Sequence, residues 1–484
     1  MSSHGKAKTE AIKAELVIIG GGGAGIPAAV AAAEAGVKNI IILEKRRIPG
    51  GNAAGLESIF AVESRIQRSQ GIVARSDDAF KTAMSYAHWK TNPRLVRALV
   101  DKSGDTFDWL ENHGVKFTGV ILHYPNQFPP VYHIADAPIL KALRKSCTDL
   151  GVQLLCKTGA KKLLTDGTGN IAGVLATTGD KELSISARSV IVATGGFAGN
   201  KELLKKYLPW FDYDGMMSEK EDMGIRHKGD GLRLVAEIGA AVDDTVAIAL
   251  GGPRFAGPAS IASFVNRPNT LWVNRNGQRF ADETVGFLFP EGANAVDRQP
   301  GKISYTLFDE RIKQSIIEEG LDPLEQLHMR KRAWPGRLDE ELQLQAGKGG
   351  VKISDSWAEI ARWIGVTPGV LQRTIDEYNS FCDQGQDKIL GKDRWYLMPL
   401  RTPPYYALKG GIGITTTHGP IRVNQRMEVL NQQGTVIGGL YAAGVDIGGT
   451  DVDTYNLILS GHSFGFAVSS GRIAGENAAR YILG

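Results

Sequence analysis

Short apolar runs that end in glycine, separated by longer stretches with apolar residues at helical spacing, give this chain the pattern of a parallel sheet covered by helices. Leu16–Ile19 is the first such run and predicts a strand buried on both faces. Its glycines lead into an alanine-rich helix, and Ile40–Leu43 is the next strand. Asn92–Asn112 sets Leu95, Val96, Leu99, Val100, Phe107 and Leu110 on one helical face, a stripe for the core. Ala187–Asn200 and Val436–Gly444 repeat the strand-into-glycine pattern, while Leu232–Ile238 and Phe464–Ile482 read as helices.

From about Val242 the pattern gives way to Gly/Pro-rich loops, aromatic and polar strands, and charged helices. Leu271–Phe280 predicts a strand, an Asn-Gly hairpin turn and a returning strand. Ser356 and Glu359 stand at capping-box spacing, and Thr367-Pro368 supplies a cap and an N1 proline. The first pattern resumes near His418. The expected fold is α/β, with a Rossmann-like domain built discontinuously from residues 1–242 and 418–484 and an inserted α+β domain over 243–417.

Chemistry enters at the first glycine turn. Gly20, Gly22 and Gly25 have G-x-G-x-x-G spacing between a strand and a helix, and Glu44 closes the following strand. In that setting the first glycine permits the turn, the second lets a pyrophosphate approach, and the third lets helix and sheet pack closely. The helix start offers free N–H groups to phosphate, and the acid can accept from a ribose. A purely structural turn is the alternative for the spacing alone; strand, helix and acid together favour a dinucleotide. No second fingerprint follows a strand, so one dinucleotide is expected. Gly50, Gly51, Asn52, Ala53 and Gly55 form a further small-residue stretch where backbone amides can approach the same ligand.

Composition narrows the class without adding chemistry. The 484 residues are 43% hydrophobic and 22% charged, and a net charge of +4 gives no nucleic-acid footprint. Three cysteines, Cys147, Cys156 and Cys382, form no CxxC pair, so neither a zinc site nor covalent haem is indicated, and no metal is expected. The polar opening MSSHGKAKTEAIKAE reads as a short loose tail rather than a signal peptide, and no apolar run is long enough to span a membrane. A cytoplasmic protein is expected. The proline-broken segment from Leu122 to His133 collects Tyr124, Tyr132 and His133, groups able to exchange protons, although surface loops also gather such residues without using them.

Taken together, GGGGAG with Glu44, GGNAAG, VIVATGGFAGN, GDGLRLVAEIGA, NRNGQRFADE, GGLYAAG and SGHSFGFAVSSGRIAGENAA resemble the FAD-dependent fumarate reductase and succinate dehydrogenase flavoproteins. That superfamily includes ketosteroid dehydrogenases and enoate reductases. The resemblance implies a glutathione-reductase-like FAD domain with an inserted capping domain closing over the flavin. It carries FAD contacts onto Gly20, Gly22, Gly23, Ala24, Gly25, Glu44 and Lys45, then onto Gly50–Gly55, Ala160, Ala193, Thr194, Gly195, Gly196 and Asp230. Gly444, Val445, Asp446, Ser463 and Phe464 complete the set, with the last helix aimed at the flavin pyrimidine ring. Asn52 stands where the succinate dehydrogenase branch has its covalent histidine, so FAD is expected without a covalent bond. Phe287 stands where fumarate reductases carry a proton-donating arginine, and Arg267 is the one matching family arginine. Tyr455 resembles the ketosteroid-dehydrogenase tyrosine that polarises a ketone; a tyrosine merely packed on the sheet is the alternative. The implied activity is hydrogen exchange across a C–C bond beside a carbonyl or carboxylate, with a small-molecule substrate and an unspecified electron partner. An amine or α-substituted-acid oxidase and a non-catalytic electron-transfer subunit are the competing readings.

Overall fold

Strands made only of Ile, Val and Leu must be covered on both faces, so they stack side by side beneath helices. A computed structural model of the chain describes residues 9–122, 128–209, 227–319, 337–453 and 455–484. In it Leu16–Ile19 lies inside a six-stranded sheet. Across that sheet the order is Glu428–Leu430, Val436–Ala442, Ser189–Val192, Leu16–Ile19, Ile40–Glu44 and Gln153–Cys156. The last five are parallel, and Glu428–Leu430 joins antiparallel at the edge. Since the parallel strands run one way, the stretches opening at Gly20, Lys45, Ala193 and Gly444 all emerge from the same end of the sheet. Ligands of open α/β sheets bind there.

Helices Gly25–Glu34 and His462–Leu483 cover this sheet and touch each other closely. A Cβ added at Gly471 would collide with the carbonyl oxygen of Ala24, and one at Gly475 with that of Ala28. The missing side chains therefore set the helix separation, and with it the position of the His462 end of the long helix.

The described parts of Met1–Phe211, Gly224–Ile248 and Thr416–Gly484 form one compact unit, and those of Ala249–Thr415 another. The first also holds a four-stranded sheet, Thr9–Lys13, Lys181–Ser186, Ile171–Thr178 and Thr158–Thr165, and a three-stranded one, Ser58–Phe60, Tyr132–Ala135 and Phe117–Ile121. The second unit is an antiparallel sheet with helices, its core built on Phe264, Phe308, Trp357, Tyr378 and Tyr406.

Three local expectations are corrected. Thr9–Lys13 is a strand rather than loose tail, because it pairs in parallel with Lys181–Ser186. The hairpin after Leu271–Val273 does not return as a strand: only an isolated Val273–Arg279 bridge forms, as Asn274 Oδ1 accepts from the Asn276 and Gln278 amides and Arg279 turns into a buried ion-pair network. Ser356 caps its helix through the Ala358 amide at 3.2 Å, but Glu359 bonds to Ser354 Oγ, so the reciprocal half of the capping box is absent.

Overpacking a close contact costs about 1–3 kcal/mol, whereas Gly→Ala in an open helical position gains up to about 1 kcal/mol. Gly471→Ala is expected to lower the melting temperature. Gly347→Ala, whose added carbon meets nothing within 4 Å, is expected to hold or raise it. Equal behaviour of the two in a thermal melt would remove the helix contact as a constraint.

Candidate active site

Gly20 has a φ of +110°, and its missing Cβ lets it lie against the Ala193 carbonyl; Gly25 packs in the same way on the Gly20 carbonyl. Gly22 differs. A Cβ there would find only the Gly50 oxygen, at 3.9 Å, so the loop leaves room above its backbone. The helix starting at Gly25 has no side-chain cap and no acid in its first turn, with Ala24 as its N-cap. The helix starting at His462 is likewise uncapped behind Gly461. Two uncapped helix starts are suited to anionic or hydrogen-bond-accepting groups of a ligand.

Glu44 is buried, and its two oxygens accept from the Gly21 amide at 3.0 Å and the Arg46 amide at 2.8 Å, leaving each a further lone pair for a ribose. Gly50 and Gly51 both have positive φ, and Gly51–Ala53 forms a single 3-10 turn presenting Asn52 to solvent; Gly55, also exposed, has nothing within 4 Å of its added Cβ. Phe464 and Ala53 pack on Gly23. Lys45 pairs with Asp230 at the start of helix Asp230–Ala236, a half-exposed pair worth little by itself. Ala160 lies on the Thr158–Thr165 strand beside a bulge.

Asp446 proves to be a brace rather than a free ligand. Its carboxylate accepts from the Thr194 amide, from Gly195 N at 3.1 Å, from Gly196 N at 2.8 Å and from Thr194 Oγ1. Burial pushes its pKa up, and those backbone bonds pull it back. The contact fastens Ala193–Gly196 to Gly444–Asp446 and places Val445 against Gly196. His227, not anticipated from sequence, has its ring against Gly195; burial, then Lys45 and Arg46, push its pKa down to about 4.

Tyr455 is half-buried in the turn before the long helix, its ring 4.6 Å from His462 and edge-on to His418 at 5.3 Å. Asp451, fully enclosed, receives His418 Nδ1 at 2.9 Å, His462 Nε2 at 3.2 Å and the Asn456 amide at 2.7 Å. Ser463 Oγ lies 3.2 Å from His418 Nε2. His418, Asp451 and His462 have donor atoms within 4.8 Å of one another, the spacing of a metal-ligand set; the hydrogen bonds already joining those atoms account for it. Burial pushes the Tyr455 phenol well up, Asp451 adds to this, and a hydrogen bond with Ser463 pulls it back. Burial also pushes Asp451 up, but His462 and His418 outweigh it and hold the carboxyl below the usual carboxylate range. None of His418, Asp451 and His462 was singled out from sequence, since only folding brings them together.

His133 is removed from the candidates. It is wholly buried against the stacked rings of Phe107 and Phe117, with Nδ1 on the Val131 carbonyl and Nε2 on Ser64 Oγ, so the strand pairing of Tyr132–Ala135 carries it into the core. Tyr132 accepts from Ser58 Oγ and packs against Gly461, beside the Tyr455 site. Tyr124 lies outside the described residues. Arg267 belongs to the other unit, on the Phe264–Thr270 turn. There too, Phe287 meets Tyr396 ring to ring, and Arg279, Glu283, Asp387 and Lys392 form a buried ion-pair network of structural charges.

The open space above Gly22, the two uncapped helix starts and Glu44 fit a dinucleotide. Residues 15–458 match the FAD binding domain family. The chain belongs to that family. The flavoprotein is 31% identical to the vinyl phenol reductase of Lactiplantibacillus plantarum over 96% of each chain. It is 27% identical to the cytochrome-type fumarate reductase of Shewanella frigidimarina, over 96% of this chain and 77% of that one. In fold it is similar to the 3-ketosteroid Δ1-dehydrogenase of Sterolibacterium denitrificans, with a TM-score of 0.77, 18% identity, and 97% and 99% of the chains covered. It is an FAD-dependent oxidoreductase. No helix among the described residues is long and apolar enough to cross a membrane.

Two outcomes follow for the purified flavoprotein. Asn52 offers no nucleophilic ring nitrogen, so acid precipitation should release all yellow colour to the supernatant; colour kept in the pellet would contradict this. The His133 pKa is about 4 when folded, lowered chiefly by burial, against ~6.5 unfolded. The unfolded chain therefore binds the extra proton first, and His133 contributes stability that is complete above ~6.5 and lost as pH falls through about 4, some ~3 kcal/mol in all. His133→Gln should flatten the decline of urea-unfolding free energy over that window; an unchanged slope would refute the assignment.

Proposed function

We propose that this flavoprotein reduces a carbon–carbon double bond conjugated to a carbonyl, carboxylate or 4-hydroxyphenyl group, with Tyr455 as proton donor. FAD, bound and reduced by an external electron donor, would supply the hydride for the β-carbon. The observation that carries the reading is Tyr455 itself: a phenol beside the uncapped start of the His462 helix, in contact with Ser463 and two imidazoles. A phenol there can donate to the α-carbon or to an enolate oxygen.

Under this reading Gly20–Gly25, Glu44, Gly50–Gly55 and Ala193–Gly196 hold the dinucleotide, the Ser463 and Phe464 amides meet the flavin pyrimidine edge, and residues 243–417 cap the reacting face. The hydroxyl-bearing aromatic alkene in the name of the 31% identical relative supports the choice of substrate class. Recognition of a dicarboxylate rests on paired cationic clamps, which arginine supplies through two hydrogen bonds at once. The cluster around Tyr455 is made of Asp451, His418, His462, Asn456 and Ser463, none of them such a clamp, and Phe287 faces Tyr396. Three unpaired cysteines suit a reducing compartment, and the reading places the enzyme in the cytoplasm.

Anaerobic assays with reduced methyl viologen should show turnover of 4-vinylphenol or an enone such as a 3-keto-4-ene steroid, and negligible turnover of fumarate. Rapid fumarate reduction would overturn the substrate class. Tyr455→Phe should keep its flavin spectrum and melting temperature while turnover falls on the order of a hundredfold, about 3 kcal/mol of transition-state stabilisation. Unchanged turnover would move the proton donor to Tyr132 or Tyr124.

A further inference from the structure

A phenol that gives up its proton in each turnover must be reprotonated, and Tyr455 has a chain of proton-bearing groups behind it. Asp451 is an acceptor only, so the His418 nitrogen facing it, Nδ1, carries a hydrogen. The other ring nitrogen, Nε2, faces Ser463 Oγ at 3.2 Å, and that hydroxyl also engages the Tyr455 phenol. All four side chains belong to Thr416–Gly484 of one compact unit.

The two histidines on Asp451 differ in what lies beyond them. His462 donates Nε2 to the carboxylate, and its Nδ1 is buried with no hydrogen-bond partner among the described residues. That arm ends. The His418 arm continues through Ser463 to Tyr455. A carboxylate this deeply buried needs its donors to remain ionised, and Asn456 N, His462 and His418 supply them. One of the three donors also leads to the proposed proton donor.

We propose that Ser463, His418 and Asp451 form a relay that reloads Tyr455 with a proton, a reading that rests on Tyr455 as the donor. As the α-carbon takes hydrogen from Tyr455 Oη, Oη takes hydrogen from Ser463 Oγ, and Oγ takes it from His418 Nε2. The ring is left neutral, with Nδ1–H still on Asp451. A proton from solvent water restores His418 after product leaves, and the Asp451 charge offsets the proton-loaded ring. The groups facing His418 are Asp451, His462, Tyr455 and Ser463, and Tyr132 faces Tyr455 from the neighbouring strand. Ser463 and His418 are positioning residues that act through Tyr455.

The test uses the FAD-loaded enzyme, photoreduced without air and mixed with 4-vinylphenol in H2O/D2O mixtures. Wild type is expected to give a reoxidation rate that curves with deuterium fraction, as several protons move together. Ser463→Ala and His418→Gln should lower the rate on the order of tenfold or more and make that dependence linear, with flavin content and dithionite reduction unchanged. His462→Gln, on the arm that ends, should keep the curvature whatever it costs in stability. A second readout needs no substrate: nitrogen-15 NMR of labelled histidine should find resting His418 protonated at both ring nitrogens, with a low-field Nδ1 proton that Asp451→Asn abolishes. Full rate with curvature in Ser463→Ala, or a resting His418 ring bare at either nitrogen, overturns the relay. Should wild type leave 4-vinylphenol untouched while NMR finds both nitrogens protonated, the substrate reading fails and the rate arm is repeated with the enone that the enzyme reduces; an enzyme that reduces neither overturns the relay.

Discussion

Close backbone contact, made possible where side chains are missing, is the constraint on which this molecule depends. Gly25 on the Gly20 carbonyl, Gly471 on Ala24 and Gly475 on Ala28 draw the first and last helices together over the sheet. The His462 end of the long helix is thereby brought beside the glycine loop, although hundreds of residues separate the two in sequence. Asp446 completes the arrangement by gathering the Thr194, Gly195 and Gly196 amides onto one buried carboxylate. Both contacts fix the backbone around the first glycine loop and the Ala193–Gly196 turn.

The same economy of charge marks the Tyr455 region. A carboxylate enclosed like Asp451 is costly unless every oxygen is satisfied, and here two imidazoles and a backbone amide satisfy it. In the other unit, Glu283 is held by Arg279 and Lys392, so Arg279 and Glu283 of the RFADE stretch are consumed in packing. Buried charge thus serves support in one unit and stands beside the candidate reaction centre in the other.

Much of the fold was legible because it is written in local terms. The Leu16–Ile19 run, the spacing of Gly20, Gly22 and Gly25, and the stripe from Leu95 to Leu110 each have a period or a spacing that one segment reveals. The Tyr455 turn was legible only through resemblance. His418, Asp451 and His462 were not, because three isolated residues acquire meaning only when a strand end, a turn and a helix start converge. His133 misled for the complementary reason: a histidine between prolines and tyrosines looks exposed, and only strand pairing with Ser58–Phe60 and Phe117–Ile121 carries it inside. The partial hairpin after Val273 failed on ion pairs from distant residues, which no local turn rule contains.

The most direct measurement of the central claim is a crystal structure of the FAD-loaded protein with a bound alkene or its reduced product. The pyrophosphate is expected over Gly22 at the start of the Gly25 helix, the flavin pyrimidine edge on the Ser463 and Phe464 amides, and the Tyr455 hydroxyl within contact of the alkene α-carbon, on the side away from the cofactor. A flavin ring bound elsewhere, or a Tyr455 hydroxyl turned away from the bound alkene, would contradict it.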